Sequence, residues 1–333
     1  MRSSALFLRD SPEMSADPFS EIIRLTKAQT VVSAVFSMGG PWSVRFPAFD
    51  YIKFFAVVKG VCWFMAEGEQ EPLRVEAGDV VLFSQCRPFV VASDPDLPPV
   101  EAASLLTGGF SGIARFGEGE DHVQIGGKIR LDPHAGALLA DMLPPWIHAR
   151  ASSPQAPVLQ WLLDQIVRER EGELPGAGVA SAQLAQLMFV QLLRAHMAQS
   201  QPDALPAGWL RALGDPRIAP ALRLMHGDPA RAWQLEELAH AVAMSRTTFA
   251  TRFKAAAGVP PLTYLHNWRM RLAEQGLREG TTSLLALGLS LGYTSESAFS
   301  NAFKRSVGVS PKRYRDAAKA EAKSLPEASL SPA

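Results

Sequence analysis

The sequence predicts an α+β protein with an N-terminal β-barrel, a helical linker and a C-terminal all-α domain that contains two helix–turn–helix units. Three observations predict this architecture. Residues 28–110 form short runs rich in Val, Phe and Gly that are broken by turn residues, which is typical of a sandwich or barrel. Residues 157–199 carry apolar side chains at helical spacing. Close to the C-terminus, two similar segments of twenty residues follow each other.

Composition predicts an ordinary globular protein, because 47% of the 333 residues are hydrophobic and 20% are charged. No apolar run approaches the roughly 20 residues that are needed to span a bilayer, so no membrane partner is expected. The chain has two cysteines, Cys62 and Cys86, which are too few for a disulfide framework. We therefore expect a cytoplasmic protein.

The net charge of zero hides an asymmetry between the two halves of the chain. Residues 216–316 contain 14 Lys and Arg against 7 Asp and Glu, a balance of +7, and the remainder carries a balance of −7. A basic module attached to an acidic one suggests a polyanionic partner, although a solvated basic surface gives the same count.

The composition changes along the chain predict five segments. The broad apolar face of the linker, around Leu184 and Met188, must be covered by the barrel, by the helical domain or by a second copy in a homodimer. The segments are an N-terminal tail (1–16), the barrel domain (17–135), the helical linker (136–207), the double helix–turn–helix domain (208–316) and a disordered tail (317–333).

The repeat sets residues 245–264 against residues 295–314 at an offset of 50. Eight of the twenty positions are identical, so an internal duplication is expected. A serine stands where an N-cap belongs in each copy, at Ser245 and Ser295. Two phenylalanines follow four residues apart on one helical face, and Gly258 or Gly308 then ends the helix. The second copy has one extra residue in its turn. Each copy is therefore predicted to be a helix–turn–helix unit.

The segment "GYTSESAFSNAFKRSVGVSPKRYR", residues 292–315, resembles the C-terminal signature of the AraC-type transcription regulators. The joining segment "PPLTYLHNWRMRLAEQGL" is similar to the connecting helix of that family. Two positions depart from the pattern: Gly276 stands where a larger apolar residue is expected, and Gln234 is a poor N-cap. The resemblance implies a protein that binds double-stranded DNA and regulates transcription.

A connecting helix of the expected length could set the two recognition helices about 34 Å apart, which is one turn of B-DNA. The two copies would then contact two adjacent half-sites. The resemblance implies base contacts from the exposed positions of both helices, namely Arg246, Thr247, Ala250, Thr251, Glu296, Ser297, Ala298 and Asn301. Contacts to DNA phosphates are expected from Arg252, Lys254, Lys304 and Arg305.

The N-terminal half resembles the cupin sensor domain of the same family, notably in the segment "EAGDVVLF". Metal-binding cupins need clustered histidines, but the corresponding positions here are Phe54-Phe55 and Pro88-Phe89. The seven histidines of the chain share no ligand spacing, so no metal, cofactor or catalytic residue is expected.

Three aromatic residues, Phe55, Trp63 and Phe89, could line an apolar pocket for a small organic effector, or they could simply fill the barrel. Cys62 and Cys86 lie on neighbouring expected strands and could form a redox switch, although two ordinary buried free cysteines are the favoured interpretation.

These expectations together describe a DNA-binding transcription regulator whose barrel senses a small molecule or a redox signal, and which is not an enzyme. The leading alternative is a cupin enzyme with an accessory DNA-binding module. A third hypothesis is an architectural DNA-binding protein whose barrel binds nothing.

Overall fold

The structure is a computed structural model, and it describes residues 17–26, 28–49, 51–69, 71–84, 87–105, 113–131, 143–172, 174–199, 205–280 and 282–324. These residues form two compact units. One unit, here called the barrel unit, comprises residues 26–206, and the other, the helical unit, comprises residues 17–25 together with residues 207–324.

Two sheets build the barrel unit. Among the described residues, one sheet has six strands in the order β11-β6-β3-β10-β1-β9 and the other has five in the order β5-β4-β7-β2-β8. The strands are β1 (Gln29–Met38), β2 (Ser43–Phe46), β3 (Ile52–Lys59), β4 (Val61–Ala66), β5 (Leu73–Glu76), β6 (Val80–Phe83), β7 (Phe89–Ala92), β8 (Val100–Glu101), β9 (Ile113–Phe116), β10 (His122–Arg130) and β11 (Trp146–Ala149), with the short helix α2 (Ala102–Leu105) after β8.

Aromatic and branched side chains fill the space between the two sheets. Phe46, Phe64, Phe83 and Phe89 are buried in one cluster with Val75. The Phe46 and Phe89 rings are stacked with centroids 4.8 Å apart, and the Phe64, Phe83 and Phe89 rings lie 5.4–5.6 Å apart in tilted and edge-on arrangements. This aromatic core joins the two sheets into a sandwich.

Strand β11 extends the barrel unit beyond its expected end at residue 135. Trp146 pairs with Phe83 and Ala149 pairs with Val80 in an antiparallel ladder. The segment 136–207, expected to be a helical linker, therefore contains a sheet strand. The sequence does not indicate this strand, because the four residues of β11 are too few to show a period.

Two helices follow β11, α3 (Ala156–Glu171) and α4 (Ala177–Gln199). Helix α4 packs against β1 and β11. The Thr30 hydroxyl donates a hydrogen bond of 2.8 Å to Gln186 Oε1 across the contact with β1. The barrel therefore covers one face of this linker helix, which was one of the three expected coverings.

Helix α1 (Pro18–Leu25) opens the helical unit, although its residues were expected to belong to the barrel. It buries Phe19, Ile22 and Leu25, and the Phe19 ring lies 6.1 Å from the Trp209 ring. The other helices are α5 (Trp209–Gly214), α6 (Ala219–Gly227), α7 (Leu235–Ala241), α8 (Arg246–Ala257), α9 (Pro261–Glu279), α10 (Leu284–Ser290), α11 (Glu296–Val307) and α12 (Pro311–Ser324).

The helical unit has two hydrophobic cores, one for each copy of the repeat. The first contains Phe249 and Phe253, and the second contains Phe299 and Phe303. Helix α9 takes part in both, because Leu265 lies in the first core and residues 270, 273 and 277 lie in the second. One continuous helix therefore connects the two helix–turn–helix units.

Helix α12 continues to Ser324, so the first eight residues of the expected disordered tail, 317–324, are helical. The low-complexity segment from residue 317 is rich in alanine, lysine and glutamate, which are strong helix formers. The expected N-terminal tail and residues 325–333 lie outside the described residues. In the described part of the chain, no helix combines the length and hydropathy needed to cross a bilayer.

Candidate nucleic-acid interface

The N-caps of the two recognition helices, α8 and α11, confirm the expected local structure. Ser245 Oγ accepts a hydrogen bond from the Thr248 amide at 3.2 Å, and Ser295 Oγ accepts one from the Ala298 amide at 3.1 Å. The helices end at Gly258 and Gly308, both of which have left-handed backbone conformations. The duplication is therefore present in the structure as well as in the amino-acid sequence.

The turns of the two helix–turn–helix units differ in two respects. The left-handed turn position is Ala243 in the first unit and Gly292 in the second, with φ of 52° and 83°. The extra residue of the second turn is Thr294, which lies between this turn and the cap Ser295. Gln234 is the N-cap residue of α7, and its side chain makes no capping hydrogen bond, as expected for glutamine.

All eight positions expected to contact bases lie on the accessible side of α8 or α11. Six of these side chains are exposed, while Ala250 and Ala298 are partly buried. The phenylalanines on the opposite faces are fully buried, so the amphipathic pattern orients both helices. Arg246 forms an exposed ion pair of 2.9 Å with Glu236 on the preceding helix.

Three of the four residues expected to contact phosphates, Lys254, Lys304 and Arg305, are exposed in the last turns of the recognition helices. Arg252 differs from them. Its guanidinium donates two hydrogen bonds to Asp215, from Nε to Oδ2 at 2.8 Å and from the terminal nitrogen to Oδ1 at 3.1 Å. Asp215 is nearly buried after α5, so Arg252 links α8 to the α5–α6 turn.

Two contacts that the sequence does not indicate connect the two helix–turn–helix units. Arg269 on α9 donates to the carbonyl oxygens of Pro229 at 2.6 Å and Arg231 at 2.8 Å, in the loop before α7. The same loop packs against Gly292 in the second unit, where an added Cβ would lie 2.1 Å from Ala230 O. The sequence alone does not predict these contacts, because nothing in it distinguishes Arg269 from the other basic residues of the helical unit.

The departure at Gly276 has a packing reason. A Cβ at this position would lie 2.8 Å from Leu287 Cδ1. The glycine therefore allows α10 to approach α9 closely, which offsets its low helix propensity.

The structure does not bring all three expected pocket residues together. Phe55 and Phe89 lie in the aromatic core of the barrel unit. Trp63 is partly exposed on β4, where Cys62 and Phe64 on either side are buried, so it faces the other side of the sheet. Phe64 occupies the inward position expected for Trp63, and its ring lies 5.6 Å from that of Phe55.

The redox hypothesis rests on two cysteines, of which Cys86 lies outside the described residues. Cys62 is a free and fully buried thiol. Burial, assisted by the negative charge of Asp79, raises the pKa of Cys62 to about 12. Such a thiol stays protonated at neutral pH and is a poor nucleophile. Within the described residues, no three His, Cys, Asp or Glu side chains are grouped as metal ligands would be.

Two family models match the chain. A cupin model matches residues 17–198 and a helix–turn–helix domain model matches residues 238–317. The chain is 41% identical over 299 residues to a putative AraC-like transcription regulator of Streptomyces antibioticus, covering 90% of this chain and 98% of that protein. It is 31% identical over 286 residues to the HTH-type transcriptional regulator AlkR of Acinetobacter baylyi, covering 83% of this chain and 91% of that protein.

Among solved structures, the DNA-binding domain of AdpA in complex with a target DNA is 30% identical and has a TM-score of 0.31. The match covers 33% of this chain and 98% of that domain. The relatives that match nearly the whole chain, together with the doubled helix–turn–helix unit, determine the family. The chain belongs to the AraC-like transcription regulators, DNA-binding proteins with an N-terminal cupin domain and a C-terminal helix–turn–helix domain.

Proposed function

We propose that the recognition helices α8 and α11 contact two half-sites in successive major grooves on one face of a DNA duplex. The observation that carries this proposal is the link between the two units. They share helix α9, and Arg269 and Gly292 both contact the loop at residues 229–231. A fixed spacing lets one chain contact both half-sites, as a repressor dimer does.

The length of α9 is consistent with this geometry. Its 19 residues make a helix of about 28 Å at 1.5 Å per residue. Half-sites in successive major grooves lie about 34 Å apart. The width of the two helix–turn–helix units accounts for the difference between this distance and the length of α9.

The exposed side chains divide into two roles. The eight base-contacting positions give specificity, since asparagine pairs with adenine, glutamate accepts from cytosine and small side chains contact the thymine methyl. Lys254, Lys304 and Arg305 bind phosphates, which fixes the register without specifying the sequence. We assign Arg252 a structural role instead, on account of its paired hydrogen bonds to Asp215.

A footprint of the full chain on a selected genomic site tests the proposal. Two protected segments, centred about one helical turn apart on the same face, are expected. Protection of a single major-groove segment would overturn the two-half-site arrangement.

We further propose that the barrel unit of this regulator senses a signal rather than catalysing a reaction. The support is the family together with Phe54, Phe55 and Phe89, which occupy positions where metal-binding cupins hold histidines. Metal analysis of the purified protein checks this, since a stoichiometric catalytic metal would favour the enzyme hypothesis. The cytoplasmic location and the homodimer remain predictions, and sedimentation of the purified chain tests the homodimer.

A further inference from the structure

A cavity of about 540 Å³ lies outside the aromatic core of the barrel unit. Its apolar wall is formed by Leu73 on β5 and by Trp146 and Ile147 on β11. Cavities of this size hold small organic ligands, and mixed apolar and polar walls are typical of such sites. The cavity does not include the pocket residues expected from the sequence.

The polar wall combines the end of β11, the turn that follows it and helix α4. It is lined by His148 on β11, by Arg150, Ser152 and Ser153 in the turn, and by His196 on α4. Arg150 is exposed and forms no ion pair with a carboxylate anywhere in the described residues. Its guanidinium is thus available for a carboxylate or sulfonate, which it can bind through two parallel hydrogen bonds.

Asp79 fixes the shape of this wall. Its Oδ1 accepts from the Ala151 amide at 2.7 Å, and its Oδ2 accepts from the Glu76 amide at 3.1 Å and lies 2.8 Å from His148 Nε2. These donors stabilise the carboxylate and hold the Asp79 pKa below its usual value despite burial. The buried carboxylate is therefore satisfied by hydrogen bonds, through which it positions the turn.

Two further features favour an anion here. Helix α3 has 16 residues and begins directly after the turn, so its positive dipole end lies next to Ser153 and Pro154. Ser153 Oγ is buried without a hydrogen-bond partner among the described residues. A rotation about χ1 can turn this hydroxyl towards a ligand oxygen.

We propose that this cavity binds a small organic anion, an aromatic or otherwise apolar molecule with one carboxylate or sulfonate. Arg150 binds the charged group and Trp146 packs against the apolar body. The site is independent of the DNA contacts proposed above, so its test needs no DNA.

Two fluorescent probes that differ only in charge test the proposal on the full chain. One is 8-anilinonaphthalene-1-sulfonate, and the other is N-phenyl-1-naphthylamine, which has the same rings without the sulfonate. Arg150→Gln should weaken binding of the sulfonate probe at least tenfold and leave the neutral probe within twofold. Arg150→Lys should recover most of the affinity for the sulfonate, and Ser152→Trp, which fills the cavity, should remove both probes from the site.

Arg130→Gln is the matched control, because Arg130 is an exposed arginine of the same unit that does not line the cavity. It should change neither affinity. Equal weakening of both probes by Arg150→Gln would overturn the anion site, as would full retention of the sulfonate probe by Ser152→Trp. Competition by inorganic phosphate alone, without competition by benzoate, would also overturn the assignment of an organic ligand. Circular dichroism confirms that each variant is folded.

Discussion

Gly292 packs against the carbonyl oxygen of Ala230 so closely that a Cβ atom at Gly292 would lie 2.1 Å from it. The glycine also has a φ of +83°, which L side chains rarely adopt. This contact joins the turn of the second helix–turn–helix unit to the loop that precedes the first.

Gly292→Ala should therefore destabilise the helical unit strongly. Gly308→Ala is the matched control, because Gly308 has a φ of +88° but no atom within 4 Å of an added Cβ. The control should cost about 1–2 kcal/mol from backbone strain alone. Thermal unfolding of the full chain should show a clearly larger loss for Gly292→Ala, and equal losses would refute the importance of the contact.

Arg252 and Lys254 should behave differently although both are basic residues of α8. Arg252→Ala leaves the nearly buried Asp215 without its guanidinium partner, which should lower the free energy of unfolding by about 1–3 kcal/mol. Lys254→Ala should leave stability unchanged and reduce the slope of log affinity against log salt by about one. Urea unfolding and salt titrations of DNA binding measure both quantities. A stability loss for Lys254→Ala alone would contradict this division.

Asn301 and Lys304 separate base contacts from phosphate contacts on α11. Asn301→Ala should relax the preference at one position of one half-site, at a cost of about 1–3 kcal/mol for the preferred base. Lys304→Ala should lower the affinity for all DNA sequences by the same factor. A binding profile over randomised sites distinguishes them, and an unchanged profile for Asn301→Ala would mean that α11 is placed differently on the DNA.

His226 should make the helical unit sensitive to acid. Its Nδ1 lies 2.8 Å from Glu21 Oε2 on α1, and its Nε2 lies 3.0 Å from the Tyr264 hydroxyl. A neutral ring protonated on Nδ1 donates to Glu21 and accepts from Tyr264. Burial lowers the pKa of His226, although Glu21 and Asp17 oppose this shift. The unfolded chain then binds the proton more readily, so the stabilisation is complete above about pH 6.5 and falls as pH decreases through the folded pKa.

The comparison of wild type with His226→Gln isolates this contribution. The stability difference between them should be larger at pH 7.5 than at pH 5.5. His240→Gln, which changes an exposed histidine of α7, is the control for a histidine-to-glutamine change elsewhere in the helical unit. A difference that stays constant or grows in acid would contradict the account.

Local signals made the helical unit predictable. Ser245 and Ser295 are N-caps, and Gly258 and Gly308 end their helices, because capping depends on a few neighbouring residues. Non-local contacts were not predictable. Strand β11 is recognisable only through its pairing with β6, which lies about sixty residues earlier in the chain. The position of α1 depends likewise on partners near residue 226.

The same distinction between local signals and non-local contacts applies to the candidate site. Exposed positions on the recognition helices follow from the helical period, which identifies the buried phenylalanines. The roles of Arg252 and Arg269 depend on Asp215 and on backbone carbonyls distant in sequence. Composition and periodicity carry no information about such partners.

The spacing of the two half-sites tests the central claim most directly. The affinity of the full chain should be measured for its natural site and for the same site with about five base pairs, half a helical turn, inserted at the centre. The account predicts that the insertion reduces affinity to that of a single half-site and leaves one protected segment in the footprint. Unchanged affinity with both segments still protected would contradict a rigid pair of recognition helices.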